Sequence, residues 1–153
     1  TAIKAGMNVF DLTNLELSYA PPFGSAKDPV NMAGYVASNI INGDMKVFHW
    51  HDVKGLDPAK ETILDVRTEA EFLKGTITGS INIPLDDLRE RLSELDPNKP
   101  VYVFCQIGFR GYLASRILVQ NGFENVYNLS GGYRLLKVVT APLKAFQGNG
   151  KKI

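Results

Sequence analysis

Cysteine is scarce in this 153-residue sequence, which contains Cys105 and no other. A lone cysteine excludes an internal disulfide and any zinc or iron–sulfur site built from several cysteines, and it suits a reducing compartment. Long apolar runs are also missing, since none approaches the roughly 20 residues that a membrane-spanning helix needs. The chain starts at Thr1 without a charged-then-apolar leader, so we expect no secretory signal. These absences predict a cytoplasmic protein that does not enter a membrane.

The sequence also lacks an excess of charge of one sign. Its 17 Lys and Arg and 16 Asp and Glu are spread along the chain and leave a formal charge of +1. Without a basic stripe to hold a phosphate backbone, nucleic acid is not an expected partner. The two histidines, His49 and His51, would share one face of a strand but make an incomplete metal site, so we expect no bound metal.

The residues that are present indicate one domain of ordinary size with an appended segment. An apolar fraction of 44% and a charged fraction of 22% are typical of a globular protein. In the segment 1–45, alternation over residues 15–19 predicts a short strand, and Asp28-Pro29 predicts the start of a helix that ends at Asn42-Gly43. A strand and a helix bury little apolar surface by themselves, so we expect this segment to pack against another part of the chain or against another protein. The apolar face of its helix would comprise Val30, Ala33, Ala37, Ile40 and Ile41.

From residue 46 onward, short apolar runs alternate with helical patterns. We predict strands at "KVFHW", "ETILD", "SINIPL", "PVYVF" and "NVYNL", and helices at "EAEFLKG", "LDDLRERLSEL", "GYLASRILVQNG" and "GGYRLLKVV". Strands rich in Val and Ile that alternate with helices imply parallel pairing. The predicted fold is α/β, with a parallel sheet of about five strands, helices on both faces and a short N-terminal strand-helix extension. The predicted units are residues 1–45, 46–138 and a tail, 139–153.

Cys105 falls at the carboxyl end of a predicted strand, where ligands bind in open α/β sheets. Free N–H groups of the following loop and helix start would point at its sulfur, and Arg110 adds a permanent positive charge. Gly108 allows a tight bend, so that successive amides converge. Such surroundings favour a thiolate. Two interpretations stay open, because Cys105 could instead be a small buried hydrophobe, and Arg110 a solvated first-turn residue.

At this point the sequence resembles the rhodanese family. The similarity covers Lys46 to Lys137 and rests on "DVR", Glu71, Gly75, "GSINIP", the Cys105 loop and the closing "GGY". It implies that a Cys105 thiolate takes sulfane sulfur from a small donor, carries it as a persulfide and passes it to a thiol acceptor. The residues of the loop would bind the donor, and its amides would stabilise the terminal sulfur. These expected substrate-binding residues are Gln106, Ile107, Gly108, Phe109 and Arg110.

Three charged residues outside the loop are expected to support the structure. Asp65 could accept loop amides, and Arg67 could pair with Glu71, four residues away. Thr76 departs from the family, which usually has a histidine there, and we expect little functional consequence. Relatives of the fold that handle phosphate or arsenate have a longer stretch from Cys to Arg than "CQIGFR". The shorter loop favours sulfur as the substrate over a tetrahedral oxyanion. Tyr133 and the leucines of residues 85–95 are interpreted as packing residues.

The first segment is similar to the end of the dimerisation domain in flavoprotein disulfide reductases of the coenzyme A-disulfide reductase and NADH oxidase type. Some members of that family carry a rhodanese domain directly after this segment. The resemblance implies that the chain is the C-terminal part of such a reductase, and that the motif tyrosine, Tyr19, is idle here. The sequence has no G-x-G-x-x-G motif, so we expect no cofactor in this chain, with FAD and NADH bound only in a full-length parent.

The partners expected are the sulfur donor and acceptor, and either a parent flavoprotein or a second copy of the chain. The segment around Tyr19 would pack on the rhodanese domain or on that second copy. A rival hypothesis makes the same fold a non-catalytic module for interaction or dimerisation. The reactivity of the Cys105 thiol discriminates between the two hypotheses.

Overall fold

The computed structural model describes residues 1–17, 20, 22 and 28–141. Within these ranges the α-helices are α1 (Val9–Thr13), α2 (Pro29–Ile41), α3 (Glu69–Leu73), α4 (Phe109–Gln120) and α5 (Gly132–Thr140). The strands are β1 (Lys46–Phe48), β2 (Thr62–Asp65), β3 (Ile81–Asn82), β4 (Val101–Phe104) and β5 (Val126–Leu129). None of the helices in the described ranges has the length and apolar character needed to cross a bilayer.

The five strands form one parallel sheet in the order β1-β5-β4-β2-β3. The central strand β4 pairs with β2 and β5, and its last residue, Phe104, lies opposite Asp65 of β2. Short Val- and Ile-rich strands are buried on both faces of such a sheet, which explains their continuous apolar runs. The predicted α/β class and five-stranded parallel sheet are confirmed.

Each face of the sheet has its own core, because successive side chains of a strand point to opposite faces. Leu64, Val103 and Cys105 face α4, which buries Ala114 and Leu118 there. On the other face, a second cluster gathers residues of the strands around α5: Phe48, Ile63, Ile77, Phe104, Leu129 and Leu136. The carboxyl ends of β2 and β4 therefore meet between two packed layers, and this is where the Cys105 loop begins.

The predicted helix over residues 85–95 is wrong. The chain there makes tight turns with i→i+3 hydrogen bonds, such as Leu88 N to Leu85 O, and a 3₁₀ turn at Leu92–Glu94. Leu88 and Leu95 are nevertheless buried, and Leu85 and Leu92 pack against the same core. Leucines three residues apart share a face in three-residue turns as well as in an α-helix, so their spacing alone does not separate the two.

The N-terminal segment is a helical hairpin. The predicted helix that starts at Asp28-Pro29 and ends at Asn42-Gly43 is confirmed as α2, whereas the element that precedes it is a helix, α1. Helix α1 begins at a capping box made by Asn8 and Asp11, and α2 packs on it where Gly34 meets Leu12. Asn31 fastens the two helices by donating to the carbonyls of residues 12 and 15, at 3.0 Å each. The start of the predicted strand, residues 15–17, has no regular structure, while Ser18 and Tyr19 lie outside the described residues.

The apolar face predicted for α2 is turned outward. Of the residues predicted for this face, Val30 is 43% exposed, Ile40 41% and Ile41 60%, whereas the buried positions of the helix are Asn31 and Gly34. The expectation that residues 30–41 bury their apolar face is therefore not met within the described part of this chain. The hairpin continues into β1 through Asp44, whose carbonyl accepts a hydrogen bond from Arg116 of α4 at 2.7 Å. At the other end α5 runs to Thr140, and the rest of the predicted tail, residues 142–153, lies outside the described ranges.

Candidate active site at the Cys105 loop

Cys105 follows β4 directly and lies at the base of a short loop that leads into α4. The residue is 1% exposed, and its Sγ accepts a hydrogen bond from the amide of Gly108 at 3.1 Å. Gly108 adopts φ of +121°, which a residue with a side chain rarely takes, so glycine is what lets the loop fold back onto the sulfur. The sequence predicted this role for Gly108.

The loop carries further backbone N–H groups besides that of Gly108. Among the residues that the structure describes, no protein acceptor is found for the backbone N–H groups of Gln106, Ile107, Phe109 and Arg110. Phe109 and Arg110 belong to the first turn of α4, where N–H groups have no partner within the helix. The positive end of the helix dipole lies at the same place. Unpaired donors are thus concentrated around the loop that carries the sulfur.

Helix α5 fixes the orientation of this loop. The amides of Tyr133 and Arg134 donate to the carbonyls of Cys105 and Gln106, at 2.8 and 3.0 Å. All peptide bonds described are trans, and in a trans peptide the N–H points away from the C=O. Because both carbonyls are held by α5, the amides that follow them, of Gln106 and Ile107, point to the opposite side of the loop.

Two residues that support the Cys105 loop were not identified from the sequence. A Cβ on Gly132 would lie 2.7 Å from both Cys105 O and Ile107 N, so only glycine permits α5 to come this close. Asn128 of β5 donates from Nδ2 to Gly108 O at 3.1 Å and thereby holds the far end of the loop. The "GGY" motif was a signal for the first of these residues, whereas nothing in the sequence marked Asn128.

The opposite wall of the site contains a buried ion pair. Arg67 Nη2 lies 2.7 Å from Asp65 Oδ2, with the two side chains 3% and 0% exposed. Asp65 Oδ1 also accepts the backbone amide of Arg67 at 3.0 Å. The expected pairing of Arg67 with Glu71 is wrong, because the turn after β2 folds Arg67 back onto Asp65. Arg67 reaches the Cys105 loop as well, since its Nη1 lies 3.5 Å from Gln106 Oε1.

Neighbouring residues complete this buried network. Thr76 Oγ1 donates to Asp65 Oδ2 at 2.8 Å, and Asn82 Nδ2 donates to the carbonyls of Asp65 and Arg67. The Arg67 guanidinium stacks 4.3 Å from the ring centre of Tyr133, which adds a cation–π contact. Thr76, the departure from the family pattern, thus acts as a support for Asp65 and lies outside the Cys105 loop.

A second ion pair joins the loop to α3. Arg110 Nη1 and Nη2 donate to the two carboxylate oxygens of Glu71 at 2.7 and 2.8 Å, and both side chains are 31% exposed. Glu71 also forms a capping box with Thr68 at the start of α3. The hydrogen bond from Arg110 is the main reason why the pKa of Glu71 falls from 4.5 to about 2. The same contact raises the pKa of Arg110.

Apolar side chains flank the loop on its outer side. Ile107 is 63% exposed and Phe109 60%, on either side of Gly108. Among the described residues, no group of three or more His, Cys, Asp or Glu side chains is arranged to hold a metal ion. The rings of His49 and His51 stack on each other, and His51 lies beside Asp52. The arrangement is therefore suited to nucleophilic chemistry at sulfur supported by backbone donors.

The family model for the Rhodanese-like domain matches residues 51–137 of the chain. This span is more than half of the chain. It contains the Asp65–Arg67 pair, the Cys105 loop and the start of α5.

Three known proteins illustrate the similarity. The crystal structure of reduced Bacillus anthracis CoADR-RHD is 50% identical with a TM-score of 0.84, over 90% of this chain and 25% of that one. An NAD-dependent persulfide reductase from A. fulgidus is 42% identical with a TM-score of 0.72, over 86% of this chain and 23% of that one. A sulfurtransferase of Allochromatium vinosum is 36% identical over 70 residues, which are 46% of this chain and 65% of that protein. The chain thus spans about a quarter of the two solved structures.

Proposed function

Since the chain belongs to the rhodanese-like domain family, we propose that it is a sulfurtransferase that carries sulfane sulfur as a persulfide on Cys105. The observation that carries this proposal is the amide of Gly108 at 3.1 Å from Sγ, in a loop whose other amides have no acceptor among the described residues. A negatively charged sulfur is stabilised where several N–H dipoles converge on it. Relatives named for sulfur transfer and for persulfide reduction support the same reaction class.

The reaction consists of two displacements at sulfur. The Cys105 thiolate attacks the outer sulfur of a donor R–S–SH, the S–S bond of the donor breaks, and R–S⁻ leaves and takes a proton from water. The sulfur gained stays on Cys105 as Cys–S–SH. A thiolate acceptor then attacks this outer sulfur, and Cys105 leaves as a thiolate. In both steps the loop amides stabilise the charge on sulfur without having to reorganise.

The same proposal assigns the chain to the C-terminal part of a coenzyme A-disulfide or persulfide reductase. The alignment with CoADR-RHD covers 90% of the chain, more than residues 51–137 alone provide, so it includes much of the segment 1–45. In such a parent, FAD and NADH would bind to domains outside this chain. The partners of the chain itself would be a small sulfane-sulfur donor, a thiol acceptor, and the parent flavoprotein or a second copy.

Replacing Cys105 with Ser tests the activity. We expect the variant to fold, because serine is nearly isosteric, and to lose transfer of sulfur from polysulfide to a small thiol, because a hydroxyl is not ionised at neutral pH. The measurement is the rate of thiol persulfide formation, with the unfolding curve of the variant as a control for folding. A variant that folds and keeps the wild-type rate would support the rival hypothesis of a non-catalytic module.

A further inference from the structure

We propose that Glu71 determines which sulfur donors the loop accepts. By neutralising Arg110, it makes the site favour donors whose sulfane sulfur is attached to an uncharged organic group over dianions such as thiosulfate. This inference rests on the sulfurtransferase function proposed above. It assigns to Glu71 a role in selectivity beyond its support of α3.

Each arginine of the site is paired with a carboxylate of the same chain. Arg67, which reaches Gln106, is held by the buried carboxylate of Asp65. Arg110, which belongs to the loop helix, donates both Nη groups to Glu71. With its pKa at about 2, Glu71 stays ionised throughout the neutral range, so this compensation persists there. A dianion that approaches the Cys105 thiolate therefore meets like charge, and both arginines are already paired.

The outer surface of the loop favours a different ligand. Ile107 and Phe109 are more than half exposed and flank the unpaired amides. A charged group next to the reacting sulfur would lose hydration against these side chains, whereas an aliphatic group would gain contact with them. The loop thus combines N–H groups that can bind the transferred sulfur atom with apolar side chains that can contact the organic group to which that sulfur is attached.

The substitution Glu71→Gln isolates the charge. Glutamine is accepted at the third position of a capping box, so the start of α3 is preserved. Its amide oxygen can still accept one hydrogen bond from Arg110, which keeps the arginine near its place. The substitution removes the negative charge of Glu71, so the positive charge of Arg110 beside the loop is no longer neutralised.

The experiment compares thiosulfate with 2-hydroxyethyl persulfide as donors to the same thiol acceptor. Thiosulfate reacts by the same displacement, in which the Cys105 thiolate takes the outer sulfur and sulfite leaves. In Glu71→Gln we expect the ratio of the two kcat/KM values to shift about tenfold toward thiosulfate, from the removal of one negative charge several ångströms from a dianion. The shift should shrink as salt concentration rises, because the site is partly exposed.

Two further variants test whether a shift in the donor ratio comes from the contact between Glu71 and Arg110. Glu69→Gln removes a charge from the same turn of α3 without contact to Arg110, and we expect the donor ratio to stay at the wild-type value. In the double variant Glu71→Gln/Arg110→Gln the gain toward thiosulfate should disappear. An unchanged donor ratio in Glu71→Gln, or equal losses for both donors, would overturn the inference. A wild-type protein that takes sulfur from neither donor would instead refute the proposed function.

Discussion

At the scale of single residues, Cys105 combines burial with a polar contact. Its side chain belongs to the core between β4 and α4 and is 1% exposed, yet its sulfur is hydrogen-bonded by Gly108. Burial among aliphatic groups protects a thiol from most solutes, whereas a backbone donor on the sulfur prepares it to carry charge. In the proposed sulfur transfer, the donor must present its sulfur to the loop, so that the loop and its flanking residues select the donor.

The Glu71–Arg110 pair predicts how stability depends on pH. The pKa of Glu71 is about 2 in the folded chain against 4.5 ordinarily, so its contribution is fully present above about pH 4.5 and is lost as pH falls toward 2. For a pair that is 31% exposed, we expect about 1 kcal/mol. In Glu71→Gln the free energy of unfolding by urea should be lower than in the wild type at pH 6, with the difference much reduced at pH 2. A difference of the same size at both pH values would contradict this account.

Roles that follow from the order of secondary-structure elements could be predicted from the sequence, whereas the partners of the charged side chains could not. Cys105 and Gly108 were identified because a strand end, a glycine and a helix start are adjacent in the chain. The partner of Arg67 was not, because a helical i, i+4 spacing suggested Glu71 while the actual turn returns Arg67 to Asp65. The contact between Glu71 and Arg110 spans 39 residues and depends on how α3 approaches α4.

At the scale of elements, the N-terminus of α5 fixes the conformation of the Cys105 loop. Gly132→Ala tests this contact, because its Cβ would lie 2.7 Å from two backbone atoms of the loop. We expect the free energy of unfolding to fall by at least about 2 kcal/mol, since a rigid backbone contact must give way. We also expect sulfur transfer to fall with it, because the amides of Gln106 and Ile107 would turn away from their positions.

Gly43→Ala is the matched control for this prediction. Gly43 has a similar φ of +78°, but a Cβ there would meet nothing within 4 Å. Its substitution should cost about 1 kcal/mol from backbone strain alone and leave sulfur transfer at the wild-type rate. If Gly132→Ala behaved like Gly43→Ala in both measurements, α5 would not be the element that orients the loop.

Helices and strands could be predicted where the sequence pattern is compatible with one type of secondary structure. Short runs of Val and Ile between turn residues gave all five strands, because a parallel sheet buries both of its faces. Residues 85–95 were misassigned because three-residue turns bury leucines at the same spacing as a helix. Helix α1 was overlooked because it has five residues, none of them buried, and therefore shows no apolar period of its own.

At the scale of the whole molecule, the hairpin of α1 and α2 leaves apolar residues uncovered within the described part of the chain. Val36 and Ile40 are 55% and 41% exposed and lie four residues apart, on one face of α2. Exposed apolar residues that share a face are typical of an interface, which agrees with the proposed origin of the segment in a dimerisation domain. The sequence predicted that this segment needs a partner surface. It could not indicate which surface, because a 13-residue helix with several apolar positions fits more than one orientation.

The proposed association of two copies can be measured by size in solution. We expect the wild-type chain to sediment as a dimer and the double variant Val36→Lys/Ile40→Lys to sediment as a monomer, because two charges would be desolvated at the interface. Val138→Lys, at a position that is 68% exposed on α5, is the control and should leave the dimer intact. A wild-type monomer at all accessible concentrations would refute the interface.

The most direct test of the central claim is the mass of the intact protein after incubation with polysulfide and removal of the excess. Because Cys105 is the single cysteine of the chain, any sulfur held as a cysteine persulfide must be on it. We predict a gain of one sulfur atom that a small thiol removes and that Cys105→Ser does not show. An unchanged mass in the folded wild-type protein would contradict the account.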